Sequence, residues 1–353
     1  MDRSTVKGNL RETFSSVFNF LKGHVITRAL YSGLGSILLF HRVCAKPGVE
    51  RISGCNGLEI TPEDLERIII FFSEKSYTFI SLDKLAEHLQ KKQSSGKFIV
   101  FTFDDGYADN FTYAYPVFKK YNIPFTIYVT TGFPDRKAVL WWYLLEELVR
   151  GRECINFESE NKKFEFICSS QKEKEDAFWN IRNIITGSSG NNYASNINKI
   201  FLPYFADIHK KTEELTLNWD QICQLNKDPL VTIGAHSVNH MNLSKISRSI
   251  LKSEMMDSKK KIESHINCEV RHFSYPYGHR GEAEKREFKM AKQCGFLTST
   301  TTRSANIFSA HKDHMECLPR VDMSPGIDDQ GLNFLKVGLT HCIRNRGKRV
   351  VTV

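Results

Sequence analysis

The sequence predicts an α/β protein in which parallel strands alternate with helices. Short apolar runs rich in β-branched and aromatic residues recur along the chain, and amphipathic segments with helix-start signals separate them. One stretch shows the pattern in full, because a strand at 97–103, a helix at 108–121 and a strand at 124–131 form a βαβ unit, whose strands run parallel. With 353 residues, 41% of them hydrophobic, the chain can build one large α/β domain or two modest ones.

The other elements follow in order along the chain. The run "SILLFHRV" predicts a strand, and Thr61 caps a helix that has Pro62 at its first position. The alternation of strands and helices stops after residue 151, and residues 152–226 are predicted to be a polar, loosely helical insertion. Order then resumes with a strand at 230–236, a helix at 248–266, a strand and turn at 270–278, a helix at 282–295 and a strand at 296–302. The alternation suggests a parallel sheet or a barrel, and either collects functional side chains at the carboxyl ends of its strands.

The two ends of the chain suggest separate segments. Residues 10–31 form an amphipathic pattern within an N-terminal segment 1–35, and this helix either packs against the protein body or rests on a membrane face. Residues 326–353 are expected to form a basic C-terminal tail after a domain at 36–325. The formal net charge is +9. Such a tail is either a solvated end or attracts phosphate-rich partners or an anionic membrane.

Targeting signals and the spacing of the cysteines indicate the cellular compartment in which the protein is expected. The nine cysteines include no C-x-x-C pair, which favours reduced thiols over a disulfide or zinc-ribbon framework. No secretory signal and no run of 18 apolar residues is apparent. We therefore expect a cytoplasmic location, with peripheral contact at the inner face of the membrane as a variant of it.

Two adjacent aspartates, Asp104 and Asp105, stand where the strand 97–103 stops at Gly106. One aspartate is enough to favour a turn, and two neighbouring carboxylates repel each other. Neighbours in a regular strand point to opposite faces, so a bend is required to bring both inward, and Gly106 permits it. One carboxylate could bind a metal ion and the other could take a proton from the water bound to it.

Two histidines follow a second strand end. His236 and His240 are four residues apart, so they can face the same side of a helical turn and share one metal ion. Two imidazoles and a carboxylate would leave one position of a tetrahedral zinc open for water, as in hydrolytic sites. At a third strand end, "SYPYG" predicts a turn in which the Tyr277 N–H could donate to an oxyanion. Each of these motifs alone is also compatible with an ordinary turn or a surface pair.

Taken together, the motifs resemble the polysaccharide deacetylase family, which is carbohydrate esterase family 4 with its NodB homology domain. The family's T-F-D-D-G motif matches Thr102 to Gly106, and its H-[ST]-x-x-H motif matches His236, Ser237 and His240. The resemblance spans roughly 36–323. It implies a distorted (β/α)7 barrel, NodB-like, here with a helical insertion. It also implies Asp104 as general base, and Asp105, His236 and His240 as ligands of a divalent metal, most commonly Zn²⁺.

Two roles that the resemblance implies have competing candidates. The arginine that orients the base is usually close before the proline of the third motif; here Arg271 and Arg320 compete, and we prefer Arg320. For the histidine that protonates the leaving amine, L-x-H patterns offer His41 and His341. We prefer His41, since its strand stands near the N-terminus, as in members that look circularly permuted.

We therefore expect a metal-dependent hydrolase of carbon–nitrogen bonds that removes the acetyl group from an amino sugar in a polysaccharide or glycan precursor. O-acetyl ester or N-formyl hydrolysis on a lipid-linked sugar, and a catalytically silent glycan-binding module, are the alternatives. The expected partner is a glycan or lipid-linked sugar of a cell-surface pathway, and not a nucleic acid. A phosphatase with an aspartate nucleophile fits poorly, because it would need D-x-D spacing. The sequence leaves the oligomeric state open.

Overall fold

The computed structural model describes residues 30–45, 51–91, 96–159 and 161–352. All but the last two residues of the amphipathic pattern at 10–31, and most of the segment 1–35, lie outside these residues. The strands are β1 (Gly35–Phe40), β2 (Arg42–Val43), β3 (Glu59–Ile60), β4 (Thr78–Phe79), β5 (Phe98–Phe103), β6 (Phe125–Val129), β7 (Cys154–Ser159), β8 (Lys162–Ile167), β9 (Val231–Ala235), β10 (His272–Ser274), β11 (Thr298–Thr300) and β12 (Val321–Asp322).

The α-helices lie mostly between these strands. They are α1 (Pro62–Glu74), α2 (Leu82–Lys91), α3 (Tyr115–Tyr121), α4 (Trp141–Gly151), α5 (Gln171–Gly187), α6 (Gly190–Phe201), α7 (Lys210–Leu215), α8 (Trp219–Asn226), α9 (Arg248–Ile266), α10 (Lys285–Gln293), α11 (Asp329–Val337) and α12 (Leu339–Arg344). No helix in the described ranges is long and apolar enough to cross a membrane.

The central sheet is parallel and curled. Its strands follow the order β11-β10-β9-β6-β5-β1-β12, and β4 also pairs with β5. The two edges meet through Leu318, whose N–H donates to Ser299 (2.9 Å) and whose carbonyl accepts from Thr301 (2.9 Å), just before β12 pairs with β1. The seven strands of this path therefore form the barrel, with β4 paired beside them, and this confirms the predicted distorted (β/α)7 architecture.

The barrel strands are buried on both faces, as parallel strands covered by helices require. Ile99, Phe101 and Phe103 of β5 pack outward with the surrounding helices, and the rings of Phe118 and Phe125 stack there at 4.3 Å. Residues at the alternate positions of β5 belong to a second cluster, which includes Ile37 of β1 and Tyr128 of β6. Since side chains alternate along a strand, the residue that follows Phe103 continues this second face.

Helix α1 begins as the sequence predicts. The Asp64 N–H donates to Thr61 Oγ1 (3.0 Å), and the Asp64 side chain accepts from the Thr61 N–H, so a capping box is complete. Pro62 occupies the first turn, where a missing N–H costs no helical bond. The helix predicted at 108–121 differs, because its first part is a π-turn at Asn110–Ala114. Pro116 cannot donate to the carbonyl four residues earlier, which favours such a widened turn.

The insertion is not wholly helical, which corrects the expectation for 152–226. Strands β7 and β8 form an antiparallel hairpin, and helices α5 and α6 pack against it. The hairpin alternates buried and exposed residues on β7, a period-2 signal that the polar composition of this stretch obscured. Helix α8, expected within the insertion, instead packs on β9 and α9 as an outer helix of the barrel.

The C-terminal residues are folded rather than a free basic tail. Helices α11 and α12 occupy much of 326–353, and Gly338 joins them with a φ of +77°. A side chain at Gly338 would meet the Tyr31 backbone at 2.3 Å, so this close approach requires glycine. The Tyr31 hydroxyl donates to the Gly347 carbonyl (2.9 Å). The segment is therefore fastened to the chain entering β1.

Candidate active site

The barrel brings polar side chains together at the carboxyl ends of its strands. Asp104 and Asp105 follow β5, His236 follows β9, and Ser274 ends β10. His41 follows β1, the neighbour of β5 in the sheet. This edge is where a parallel barrel displays residues for chemistry, because the loops there are free of the packing that fills the barrel interior.

Asp104 forms a buried ion pair with Arg320. Two guanidinium nitrogens of Arg320 donate to the two carboxylate oxygens at 2.7 and 2.6 Å, and the Arg320 side chain is 0% exposed. Ser274 Oγ accepts from Arg320 (2.9 Å) and lies 3.3 Å from Asp104 Oδ2. Burial alone would raise the pKa of Asp104, but Arg320 outweighs it and holds the pKa below its ordinary value. Asp104 is therefore an oriented, ionised carboxylate.

The chain bends at Asp105 itself, not only at Gly106. Strand β5 ends at Phe103, and Asp105 takes a left-handed φ of +71°, followed by Gly106 at +75°. Aspartate tolerates this conformation better than most residues. The bend sets the Asp105 side chain toward the histidines, while Asp104 keeps the orientation given by the strand. This is how two adjacent carboxylates reach one site.

His236 and His240 lie on a loop rather than on the helical turn that their spacing suggested. Ser237 and His240 have positive φ values of +63° and +55°, and the His240 N–H donates to Ser237 Oγ (3.0 Å). The buried Glu254 carboxylate accepts from the Val238 and Asn239 N–H groups, both at 2.9 Å. The loop is thus shaped by hydrogen bonds that the sequence spacing does not reveal.

Asp105, His236 and His240 present three potential metal ligands to one point. The Nε2 atoms of His236 and His240 lie 3.4 and 3.2 Å from Asp105 Oδ1, and the ligand atoms of all three lie within 4.8 Å of one another. His236 Nδ1 donates to the Ser274 carbonyl (2.8 Å), which leaves Nε2 as the atom with a free electron pair.

The surroundings of these three side chains fit a divalent cation. Asp105 Oδ1 is buried and has no hydrogen-bond partner in the described part of the chain. Burial opposes ionisation of Asp105, but His240 and His236, when their imidazoles are protonated, outweigh it and hold its pKa well below the ordinary value. A buried anionic oxygen that lacks a hydrogen bond and faces two imidazole nitrogens is the donor set that zinc prefers.

Tyr277 lies beside His240 on the turn after β10. Its ring centroid is 4.9 Å from that of His240, and its hydroxyl donates to the His240 carbonyl (3.2 Å). Its φ is +62°, so the turn is held in a left-handed conformation. Among the described residues, the Tyr277 N–H has no backbone acceptor. That it donates to an oxyanion stays a prediction.

One cavity of about 330 Å³ contains these groups. Its floor holds Asp104, Asp105 and the two histidines, and aromatic side chains form much of its wall. Trp142 stands 4.9 Å from the His240 ring and donates to the Tyr107 hydroxyl (2.9 Å). The insertion adds to the wall with residues of α5: Phe178, Trp179 and Arg182. The insertion is thus part of the site and not a separate module.

The structure separates the competing histidines. His41 lines the cavity, and its Nδ1 has no partner within the described ranges. His341 is buried at 3% exposure and bonds to Ser304 Oγ (3.1 Å), with burial lowering its pKa to about 4. His341 does not line this cavity, so its position does not suit a proton donor to a substrate held there.

The structure also separates the competing arginines. Arg320 contacts Asp104, whereas Arg271 forms a half-exposed ion pair with Asp83 (2.5 Å) near the opposite end of β10. Arg42, next to His41, pairs with Glu59 and Asp109, both at 2.6 Å, and so fixes the chain that carries His41.

Several cavity residues were not predicted from the sequence. Asp322 lies two residues after Arg320 and close enough to His41 for their charges to interact. The R-x-D spacing in "PRVD", at the end of a predicted strand, could have indicated it. Trp179, Arg182 and Arg344 gave no such signal, because they come from the insertion and the C-terminal segment.

Comparison with known proteins agrees with this geometry. The profile of the family described as Polysaccharide deacetylase matches residues 91–298, more than half of the chain. The chain belongs to the polysaccharide deacetylase family. It is therefore a hydrolase of the type that acts on carbon–nitrogen bonds. A Bacillus subtilis (strain 168) protein, YxkH, which is named for the same family, is 24% identical over 278 residues, covering 78% of this chain and 70% of YxkH.

Two solved deacetylases and IcaB share the fold. The Streptococcus pyogenes deacetylase PplD in complex with acetate superposes with a TM-score of 0.56 at 16% identity, covering 84% of this chain and 95% of PplD. A de-N-acetylase from Aggregatibacter actinomycetemcomitans gives a TM-score of 0.55 at 15% identity, with coverages of 85% and 99%. IcaB from Ammonifex degensii gives 0.53 at 16% identity, with coverages of 86% and 97%. At these identities the likeness shows the family's barrel and no more.

Proposed function

We propose that this polysaccharide deacetylase family member hydrolyses the N-acetyl group of an amino sugar in a polysaccharide or glycan precursor, and that it depends on a divalent metal, Zn²⁺ being our choice. One observation carries the proposal. The oriented carboxylate of Asp104 lies in the same cavity as the ligand cluster of Asp105, His236 and His240. A base and a cation site side by side are the requirements for hydrolysis of an unactivated amide.

Asp105, His236 and His240 would hold the cation. When bound, it supplies a Lewis acid that acidifies water and polarises the acetyl carbonyl. Asp105 contributes the negative charge of the ligand set. The His236 Nδ1–H bond to the Ser274 carbonyl keeps its ring oriented with Nε2 toward Asp105.

The other residues handle protons and charge. Asp104 is ionised and held by Arg320, so it can accept a proton from the attacking water without turning away. The Tyr277 N–H would donate to the oxygen of the acetyl carbonyl as negative charge develops on it. His41, in the same cavity, would donate a proton to the departing amine, so that acetate and a free amino sugar are released. We assign Arg320 a positioning role, because it acts through Asp104.

O-acetyl esters and N-formyl amides would use the same groups, so an acyl-group panel decides among them. A catalytically silent glycan-binding module would not need the Asp104–Arg320 pair beside a ligand cluster, and the presence of both argues against it. The cytoplasmic location and contact with the inner face of the membrane stay predictions, which fractionation of cells expressing the protein tests.

Two matched substitutions test the assignment. Asp104→Asn keeps the size of the side chain but removes the base, so acetate release from N-acetylglucosamine oligomers should be lost while one metal ion per chain is retained. His240→Ala should lose both activity and metal. Elemental analysis of each purified variant gives the metal content. Full activity in Asp104→Asn, or a normal metal content in His240→Ala, would contradict the proposal.

A further inference from the structure

Two arginines line the cavity and have no part in the chemistry assigned above. Arg182 comes from α5 of the insertion, and Arg344 ends α12 of the C-terminal segment. Both lie in the same cavity wall as Trp179, which is 41% exposed. Segments outside the barrel therefore contribute two arginines to the lining of one small cavity.

The Arg182 guanidinium lies against two aromatic rings and forms one long ion pair, with Glu282. It lies 5.4 Å from the Trp179 ring centre and 5.6 Å from that of Tyr277. Its nearest carboxylate oxygen in the described part of the chain belongs to Glu282, at 3.8 Å, beyond hydrogen-bond distance. Stacking leaves the N–H groups in the plane of the guanidinium free to donate, and Arg182 is therefore preorganised for an acceptor.

Arg344 adds a second positive charge. Its side chain is exposed, and no carboxylate of the described residues lies within 4.0 Å of it, although Asp322 is near enough for their charges to interact. Asp104 is already paired with Arg320, and Asp105 is committed to the ligand cluster. Glu282 is thus the carboxylate nearest Arg182 among the described residues and Asp322 the one that interacts with Arg344, but neither lies within hydrogen-bond distance of its arginine. Both guanidinium groups therefore keep N–H donors for an acceptor in the cavity.

We propose that the substrate carries an oxyanion group, a phosphate or a carboxylate, on or next to the acetylated sugar, and that Arg182 and Arg344 bind it. This inference rests on the proposed function. An arginine has five N–H donors and no acceptor, so it matches an oxyanion better than a sugar hydroxyl, which also needs an acceptor. The two arginines would select a charged sugar over a neutral one and so determine specificity.

The test compares three probes on the zinc-loaded, full-length protein. They are N-acetylglucosamine 1-phosphate, N-acetylmuramic acid, which carries a carboxylate, and the neutral methyl glycoside of N-acetylglucosamine. We expect kcat/KM for acetate release from one charged probe to exceed that of the neutral probe by about tenfold or more. The preferred charged probe identifies the oxyanion. Equal values for all three probes would overturn the inference.

Variants assign the preference to the two arginines. Arg182→Gln and Arg344→Gln should each lower kcat/KM for the charged probe by about tenfold and leave the neutral probe within about twofold. Relative to Arg182→Gln, Arg182→Lys should restore part of the preference for the charged probe, because lysine keeps the positive charge but lacks the paired N–H donors of a guanidinium. Lys348→Gln, an exposed charge outside the cavity, is the matched control and should change neither value. Equal losses on charged and neutral probes in the glutamine variants would refute the role.

Calorimetric binding separates this inference from the proposed function. If no probe releases acetate but the charged probe binds more tightly than the neutral one, and Arg182→Gln abolishes the difference, the deacetylase proposal fails and the oxyanion site stands. If the neutral probe is deacetylated and the charged probes bind no better than it, the deacetylase stands and the oxyanion site is wrong.

Discussion

Replacing Arg320 by methionine tests how the site holds its base. Arg320 is fully buried and donates to both oxygens of Asp104, to Ser274 Oγ and to the Thr301 carbonyl. Arg320→Met leaves the Asp104 carboxylate buried without its cation. Removing one partner of a buried pair costs about 3–5 kcal/mol of folding free energy.

The size of this loss depends on Asp104, and a double-variant cycle measures the dependence. The double variant Asp104→Asn/Arg320→Met leaves no unpaired charge in the interior. It should therefore be more stable than Arg320→Met alone by at least about 2 kcal/mol. Arg271→Met is the matched control, since its half-exposed pair with Asp83 should contribute no more than about 1 kcal/mol.

Urea unfolding followed by circular dichroism gives these free energies, and acetate release across pH gives the second readout. In Arg320→Met the pKa of Asp104 should rise, because burial then acts without the opposing cation, and the acid limb of kcat/KM should move to higher pH. Arg320→Lys should retain part of the activity, since it keeps the charge but loses the two-pronged contact. If Arg320→Met destabilises the protein equally with Asp104 and with asparagine at that position, Arg320 does not stabilise the fold by compensating the Asp104 charge.

Three further results are expected. His41→Ala should lower kcat for acetate release by about 10²–10⁴-fold, whereas His341→Ala should keep kcat within about threefold; the reverse order would reassign the proton donor. Burial lowers the pKa of His311 and of His341 to about 4, so between pH 6.5 and 4 the unfolded chain binds protons that the folded chain does not. Stability should therefore fall as pH drops through this window, by up to about 1.4 kcal/mol per unit for each histidine, and His341→Asn should reduce the slope seen in urea titrations. Glu254→Ala should weaken zinc binding by about tenfold or more in competition with a chromogenic chelator, because it releases two backbone N–H groups of the histidine loop; unchanged affinity would show that the loop holds its shape alone.

The barrel and much of its site could be predicted from the sequence because the signals are local. The apolar strand before Asp104, the capping box at Thr61 and the strand before His236 each specify their own element, and parallel strands bring their carboxyl ends to one edge. The contact between Asp104 and Arg320, in contrast, joins residues that are far apart in the sequence. It depends on Leu318 closing the sheet between β11 and β1, which the sequence shows only as one more short strand.

The loop and insertion geometry could not be predicted for a different reason. The spacing of His236 and His240 suggests a helical turn, but the Glu254 carboxylate, from a helix later in the chain, shapes a loop with left-handed residues instead. Arg182 reaches the cavity through packing of α5 against α4 and the hairpin, which involves surfaces that composition does not specify. Tertiary contacts thus decide these positions, and local propensity does not.

We propose that hydrolysis of an N-acetylated sugar by this protein requires both a metal ion and Asp104. Acetate release from N-acetylglucosamine oligomers, measured on the full-length protein before and after chelation and again after one equivalent of Zn²⁺ is restored, tests it most directly. We expect activity that chelation removes and zinc restores in the wild type, with none in Asp104→Asn under any condition. Acetate release that persists at full rate in the chelated protein, or that survives in Asp104→Asn, would contradict it.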